Sequence, residues 1–271
     1  MRLIKKNLKY ILTAPQSIFH KLIGIDVEYK DMVGFFRYFP LGRIHKDKTV
    51  SFNFMGQKIR MFHRGKKPAG CAIFSNGEYD LIPKSSREVL DIGAAHGDTA
   101  IFFSQRGASK VYGYELQGEN CTLAKKNIKI NNLQNIISIF HCGVAANKIN
   151  SSDNILGAIL EPNERDNIAE DFKTLDEIVN IHKMKNGILK IDVDGFEYEI
   201  LRSTSAKTLM KFDFIFLEYH FGVQDLSTLL ISSGFSVKSE EVAKIDAHWH
   251  PEEFRSMDVG YILATNNKIL I

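Results

Sequence analysis

Cysteine is scarce in this chain of 271 residues: Cys71, Cys121 and Cys142 are widely spaced, with no CxxC pair. That odd, scattered set excludes a disulfide framework and a thiolate zinc site, and it points to a reducing, cytoplasmic compartment. Long apolar runs are missing too; none approaches the roughly 18 residues that a membrane-spanning helix needs. The first stretch, MRLIKKNLKYILTAPQSIFHKLIG, is interrupted by Lys9, Tyr10 and Pro15 and lacks the clean apolar core of a signal peptide. There is no internal repeat and no low-complexity tract. What remains, 44% hydrophobic and 25% charged, is the composition of an ordinary globular protein.

Net charge is small, +3, but unevenly spread. Residues 1–70 carry 15 Lys or Arg against four acids (Asp26, Glu28, Asp31, Asp47), whereas the remainder is acidic. A basic front end attracts an anionic substrate, nucleic acid or a membrane surface, or is simply a solvated face. Residues 1–23 read as one or two helices broken around Ala14-Pro15. TVSFNFMGQKIRMF (49–62) alternates on both sides of Met55-Gly56, which predicts a hairpin. GKKPAG (65–70) is a loop. The expected organisation is therefore a basic extension over 1–70 and a main domain over 71–271.

Residues 71–82 read as helical or irregular, and from Glu88 strand and helix alternate. Strands are expected at 88–93, 110–115, 136–145, 187–194, 212–220 and 259–266. Helices are expected at 98–107, 119–132, 172–183, 196–205 and 224–235, with a polar, loop-rich stretch over 147–170. Such alternation implies parallel crossovers and an α/β fold with a doubly wound, mostly parallel sheet. Ligands on such sheets bind beyond the C-terminal strand ends, at the switch point.

VLDIGAAHGDTA (89–100) is an apolar strand running into Gly93 and Gly97 and then a helix start at Asp98-Thr99. Glycines at such a turn allow positive φ and close backbone approach to a ligand. The spacing is DxGxxxG rather than the GxGxxG of dinucleotide sites, with Asp91 two residues before the first glycine. A carboxylate there is poorly matched to a pyrophosphate and suits a ligand bearing an amine, such as the aminocarboxypropyl end of S-adenosylmethionine. KVYGYE then ends in Glu115, placed to accept from ribose hydroxyls. The bland alternative is that Asp91 serves a helix start and Glu115 is a surface acid.

VLDIGAAHGDTA, YGYEL, AKKNIKINN and KIDVDGFEYEIL together resemble the FkbM-like family of class I S-adenosylmethionine-dependent methyltransferases, over roughly residues 75–265. The family pairs a GANxG-type loop with a later KIDVEGxExxxL segment. This chain has Ala95 and His96 inside the loop and Asp194 where glutamate is usual. The resemblance implies a seven-stranded Rossmann-like sheet, S-adenosylmethionine as cofactor and O-methyl transfer to a small-molecule or carbohydrate acceptor. It carries Asp91, Gly93, Gly97 and Glu115 over as cofactor contacts. Ala94, Ala95, His96, Thr99, Leu116, Gly143 and Asp192 complete the expected cofactor surface.

Methyl transfer to a hydroxyl needs in-line alignment and a proton acceptor, so carboxylates or a histidine beside the methyl are the catalytic candidates. LKIDVDGFEYEIL (189–201) sets Lys190, Asp192 and Asp194 on one side of a strand otherwise made of Leu189, Ile191 and Val193. The next strand ends in Glu218, Tyr219 and His220. Asp192, Glu218 and His220 are the candidate catalytic residues; the rival reading is a buried Lys190–Glu218 ion pair. Asp192, Asp194 and Glu218 are also an oxygen-ligand set suited to Mg²⁺ or Ca²⁺, although no metal is assigned. HWHP (248–251) lacks a clear third ligand and reads as a turn, in which Trp249 is a candidate lining residue. Glu197 and Glu199 read as acids favoured by a helix start.

Two other functions stay open. One is an RNA methyltransferase that uses the basic extension; DVDG, where base N-methylating enzymes carry an Asn/Asp-Pro-Pro-aromatic stretch, argues against amino groups of bases but not against ribose. The other is a non-catalytic cofactor-binding or membrane-surface module.

Overall fold

The computed structural model describes residues 41–62, 73–146, 167–246 and 256–269. The expected helices over 1–23, the loop over 65–70, the boundary at residue 70 and the HWHP turn with Trp249 lie outside them. Strands β1 (Arg43–Ile44), β2 (Thr49–Phe54) and β3 (Gln57–Phe62) form a small antiparallel sheet. The hairpin turns at Met55-Gly56, both with positive φ, as the sequence pattern predicts. A short helix α1 (Ile73–Asn76) and a 3₁₀ turn (Glu78–Leu81) lead into the main sheet.

There, β4 (Glu88–Ile92), α2 (Asp98–Gln105), β5 (Lys110–Glu115), α3 (Gly118–Ile130) and β6 (Ile137–His141) run in succession. A two-residue strand β7 (Gly143–Val144) pairs with β8 (Phe172–Lys173), which enters α4 (Leu175–His182). Then come β9 (Gly187–Ile191), α5 (Glu197–Ser203), α6 (Ala206–Leu209), β10 (Phe212–Tyr219), α7 (Gln224–Ser232), β11 (Phe235–Asp246) and β12 (Ser256–Asn266). The seven-stranded sheet has the order β11-β12-β10-β9-β4-β5-β6. The four pairings from β10 to β6 are parallel, and β12 is antiparallel to both neighbours. The order reverses at β4, between β9 and β5, which makes this the switch point.

The pleat distributes each strand between two cores. Val89, Val111 and Ile188 pack with α2, α3 and the small sheet, while Leu90, Leu189 and Ile191 pack with α4, α5 and α7. Central strands of a parallel sheet are covered on both faces, which is why β9 is buried throughout. The small sheet shares the first core: Phe52, Phe54, Phe74, Tyr79 and Phe102 form one chain of tilted and edge-on aromatic contacts. Asn127 of α3 fastens that layer. Its side chain accepts from Phe62 N at 2.7 Å and donates to His96 O at 2.9 Å.

Three departures from the sequence reading have a clear physical cause. The strand expected over 136–145 divides, because Gly143 turns out to pair with Phe172; a Cβ at Gly143 would meet that ring at 2.2 Å. The helix expected from 172 starts later, at a capping box made by Thr174 and Glu177. β11 was not expected at all. FSVKSEEVAKID is too charged to read as a core strand, and it is an edge strand paired only with β12, where charge discourages pairing with other chains.

Because Asn127 satisfies two partly buried backbone groups, Asn127→Ala is expected to cost about 1–2 kcal/mol. In urea denaturation the midpoint should fall with the slope unchanged; an unshifted midpoint would show that water replaces the amide.

Candidate active site at the strand ends

Gly93 (φ 78°) follows β4, and its amide donates to Tyr114 O at 2.9 Å. A Cβ there would lie 1.8 Å from Asp192 O, so only glycine lets this loop cross the segment leaving β9. Gly97 (φ 77°) precedes α2. Between them Ala95 holds φ 42°, a left-handed conformation unusual for alanine, and donates its amide to Glu115 Oε2 at 2.7 Å. The other Glu115 oxygen accepts from Gln117 N at 2.8 Å. Burial pushes this carboxyl upward, and the two amides pull it back.

Asp91 and Lys190 are register partners on neighbouring parallel strands, and both are fully buried. Lys190 Nζ lies 3.1 Å from Asp91 Oδ1, donates to Gly93 O at 2.7 Å, and stands 3.8 Å from Asp192 Oδ2. Asp91 Oδ2 accepts from Thr99 Oγ1 at 2.5 Å. Burial raises the Asp91 pKa against the pull of Lys190. Burial also opposes charge on Lys190, yet Asp91 and Asp192 hold its pKa above the ordinary lysine value. The rival reading, a buried ion pair between Lys190 and Glu218, gives way to this one, because Asp91 sits directly across the strand pair.

β9 stops at Ile191, one residue before the acids. Asp192 donates its amide to Ile92 O at 3.1 Å, and Asp194 (φ 50°) and Gly195 (φ 108°) make the turn into α5. Asp192 and Asp194 therefore belong to a turn, while Lys190 lies beneath them in the sheet. Glu197, read from sequence only as an acid favoured by a helix start, is fully buried. Its Oε1 accepts from Val193 N at 3.0 Å and Gly195 N at 3.2 Å and lies 3.0 Å from His220 Nδ1. Burial opposes charge on His220, but the bond to Glu197 and the nearby Asp194 and Asp192 raise its pKa to about 9. Its EYEIL context resembles any amphipathic helix start, so nothing in the sequence marked Glu197 as an inner residue. Glu199 accepts from Ala146 N at 3.2 Å.

A cavity of about 240 Å³ opens beyond β4 and β5. Gly93, Ala95, Glu115, Leu116, Gly143 and Asp192 line it, joined by Gln117, Val144, Phe172 and Phe196, which were not singled out from sequence. Asp91, Ala94, His96, Gly97 and Thr99 are not among its lining residues; Asp91 and Thr99 bind each other behind the loop. Glu218 and His220 are also outside the lining, but they gather with Asp192, donor atoms of all three lying within 4.8 Å of one another. The wall fits S-adenosylmethionine: a carboxylate at the β5 end, a second at Asp192, and apolar side chains between them.

A methyltransferase FkbM domain model matches residues 91–246, more than half of the chain. The chain belongs to the FkbM methyltransferase family. This FkbM-family chain is also 48% identical over 48 residues to the ribosomal protein L11 methyltransferase of Lactobacillus johnsonii, 18% of the chain and only 15% of that protein. Among solved structures it is similar to M. capricolum TrmK in complex with S-adenosyl-homocysteine, with 16% identity and TM-score 0.47. That likeness covers 70% of the chain and 66% of TrmK. A second is the ribosomal protein L11 methylase from Lactobacillus delbrueckii subsp. bulgaricus, with 11% identity, TM-score 0.42, and 70% and 75% coverage.

Lys190→Met is expected to cost about 3–5 kcal/mol, because it leaves Asp91 charged and buried. The double variant Lys190→Met with Asp91→Asn should recover most of that loss in a denaturation cycle. Gly93→Ala combines positive φ with a clash against backbone, so it should lower stability by at least ~2 kcal/mol and abolish S-adenosylhomocysteine binding in calorimetry.

Proposed function

We propose that the chain is a cytoplasmic S-adenosylmethionine-dependent methyltransferase that methylates a hydroxyl of a small molecule or carbohydrate. The observation that carries the reading is the cavity at the switch point, with Glu115 on one side and Asp192 on the other. S-adenosylmethionine supplies a methyl group already activated on a sulfonium, so the protein's work is binding, alignment and proton removal.

Glu115 would hold the ribose hydroxyls, on a carboxylate already fixed by the amides of Ala95 and Gln117. Leu116, Gly143, Val144 and Phe172 supply an apolar slot for a base. Gly93 and Ala95 bring backbone to the cavity wall, and Asp91, Thr99 and Lys190 fix that loop from behind. Ala94, His96 and Gly97 serve the same loop rather than the cavity surface. Asp192 takes the proton that the acceptor hydroxyl gives up, and Glu218 and His220 stand beside it.

The acids at this end also bear on the acceptor. Asp192, Asp194 and Glu218 all have exposed surface, and a polyanion such as RNA would meet them before any other charge of the turn. A neutral acceptor is favoured on that ground. Among the described residues no helix is long and apolar enough to cross a membrane, and the described cysteines, Cys121 and Cys142, are free and buried.

Calorimetry with S-adenosylhomocysteine should give one site per chain, weakened at least about tenfold in Glu115→Ala. Absence of binding by the native chain would overturn the reading. Methyl transfer from radiolabelled S-adenosylmethionine to hydroxylated acceptors should fall about 10²–10⁴-fold in Asp192→Asn. Transfer to RNA alone would overturn the acceptor class, and cofactor binding without transfer to any acceptor would favour a non-catalytic module.

A further inference from the structure

His220 is a buried imidazole with one nitrogen committed and the other aimed at carboxylates it does not reach. Its side chain is 7% exposed, and Nδ1 lies 3.0 Å from Glu197 Oε1. Glu197 is itself held by the amides of Val193 and Gly195, so the carboxylate beside the ring is fixed by backbone. Nε2 makes no hydrogen bond among the described residues; Asp194 Oδ1 stands at 3.8 Å and Glu218 Oε1 at 4.0 Å. Asp192 completes a group of three donor atoms within 4.8 Å of one another.

We infer that Asp192, Glu218 and His220 form a binding site for one divalent cation of Mn²⁺ or Zn²⁺ type. A gap of 4.0 Å is too long for a hydrogen bond. It is wider than the roughly 3.0–3.5 Å between neighbouring ligands of an ion bonded at about 2.0–2.2 Å, and small rotations of the partly exposed Asp192 and Glu218 carboxylates close that difference, so one ion can bind the group. The Glu197–His220 contact is the second half of the argument. Metal-bound histidines donate their other ring N–H to a carboxylate or carbonyl, which fixes ring and tautomer. Here that carboxylate is in place, with its own position fixed by backbone. One imidazole nitrogen with two carboxylates favours Mn²⁺ or Zn²⁺ over the all-oxygen preference of Ca²⁺ and Mg²⁺.

Lys190 bonds Asp91 and Gly93 O and stands 3.8 Å from Asp192 Oδ2, beyond hydrogen-bond distance, so it acts on Asp192 through charge and leaves the carboxylate able to coordinate. Three protein ligands leave coordination positions open. Asp192 also lines the cavity, so an open position can face an acceptor hydroxyl and lower its pKa. That role rests on the proposed function; the binding site itself does not.

The test is Mn²⁺ titration of the chelator-treated full chain, with free Mn²⁺ followed by electron paramagnetic resonance. One Mn²⁺ per chain is expected, with affinity lowered about 10–100-fold in Glu197→Gln and at least as much in Glu218→Gln. Asp225→Asn, an exposed acid paired with Arg202 elsewhere on the surface, should leave the titration unchanged. No binding by the native chain, or equal binding by Glu218→Gln, would overturn the site. Glu218 is partly exposed, so this variant decides the matter even where Glu197→Gln fails to fold. S-adenosylhomocysteine titrated into the same samples separates the two ideas. Cofactor binding without Mn²⁺ sinks only the metal site, whereas Mn²⁺ binding without cofactor sinks only the methyltransferase reading.

Discussion

The buried pair of Lys190 and Asp91 is the constraint on which the site depends. Two charges in the centre of a parallel sheet are tolerated only when each answers the other and the remaining donors and acceptors are used. Lys190 meets that demand by binding Asp91 and also Gly93 O. Asp91 meets it by accepting from Thr99 at the first turn of α2. One ammonium therefore ties together two strands, the glycine loop and a helix start. The loop cannot collapse into the cavity without leaving a charge uncompensated.

From that anchor the site is built upward in layers. Asp192 follows Lys190 by two residues and keeps to its side of the sheet, now beyond the last paired residue of β9. Glu218 lies two residues past Phe216, the register partner of Lys190 on β10. The carboxylates thus stand above a level made of the Asp91–Lys190 pair and of Phe216, which packs on Tyr79 at 4.8 Å. Glu197 closes the group from behind, joining the β9 turn to His220. The arrangement separates the cavity wall of Glu115 and the glycine loop from an acidic corner at Asp192, Glu218 and His220.

Strain is concentrated at the same place. Ala95 and Asp194, both with positive φ, occupy the two loops that face each other across the Gly93–Asp192 contact. Such conformations cost of order 1–3 kcal/mol each and persist where surrounding contacts fix them. Ala95 is fixed by the bond to Glu115. Asp194 is fixed by the amides on either side of it, at Val193 and Gly195, which both donate to Glu197. The two loops are thereby set before any ligand arrives.

Local pattern alone determined much of this protein. Strand–helix alternation after Glu88 specifies a doubly wound sheet, and DIGAAHG and YGYEL mark the strand ends that border the cavity. The hairpin over 49–62 and the glycine positions were likewise legible, because each depends on neighbours in the chain. The charged β11 was not, since an edge strand lacks the apolar run by which a buried strand is recognised. Nor could sequence decide the partners of charges. Lys190 answers Asp91 rather than Glu218, and Glu197 faces inward rather than to solvent, because both outcomes depend on register between strands about a hundred residues apart or on a turn folded over a neighbouring strand. Residue types fixed what chemistry was available; the sheet order and register decided which groups meet.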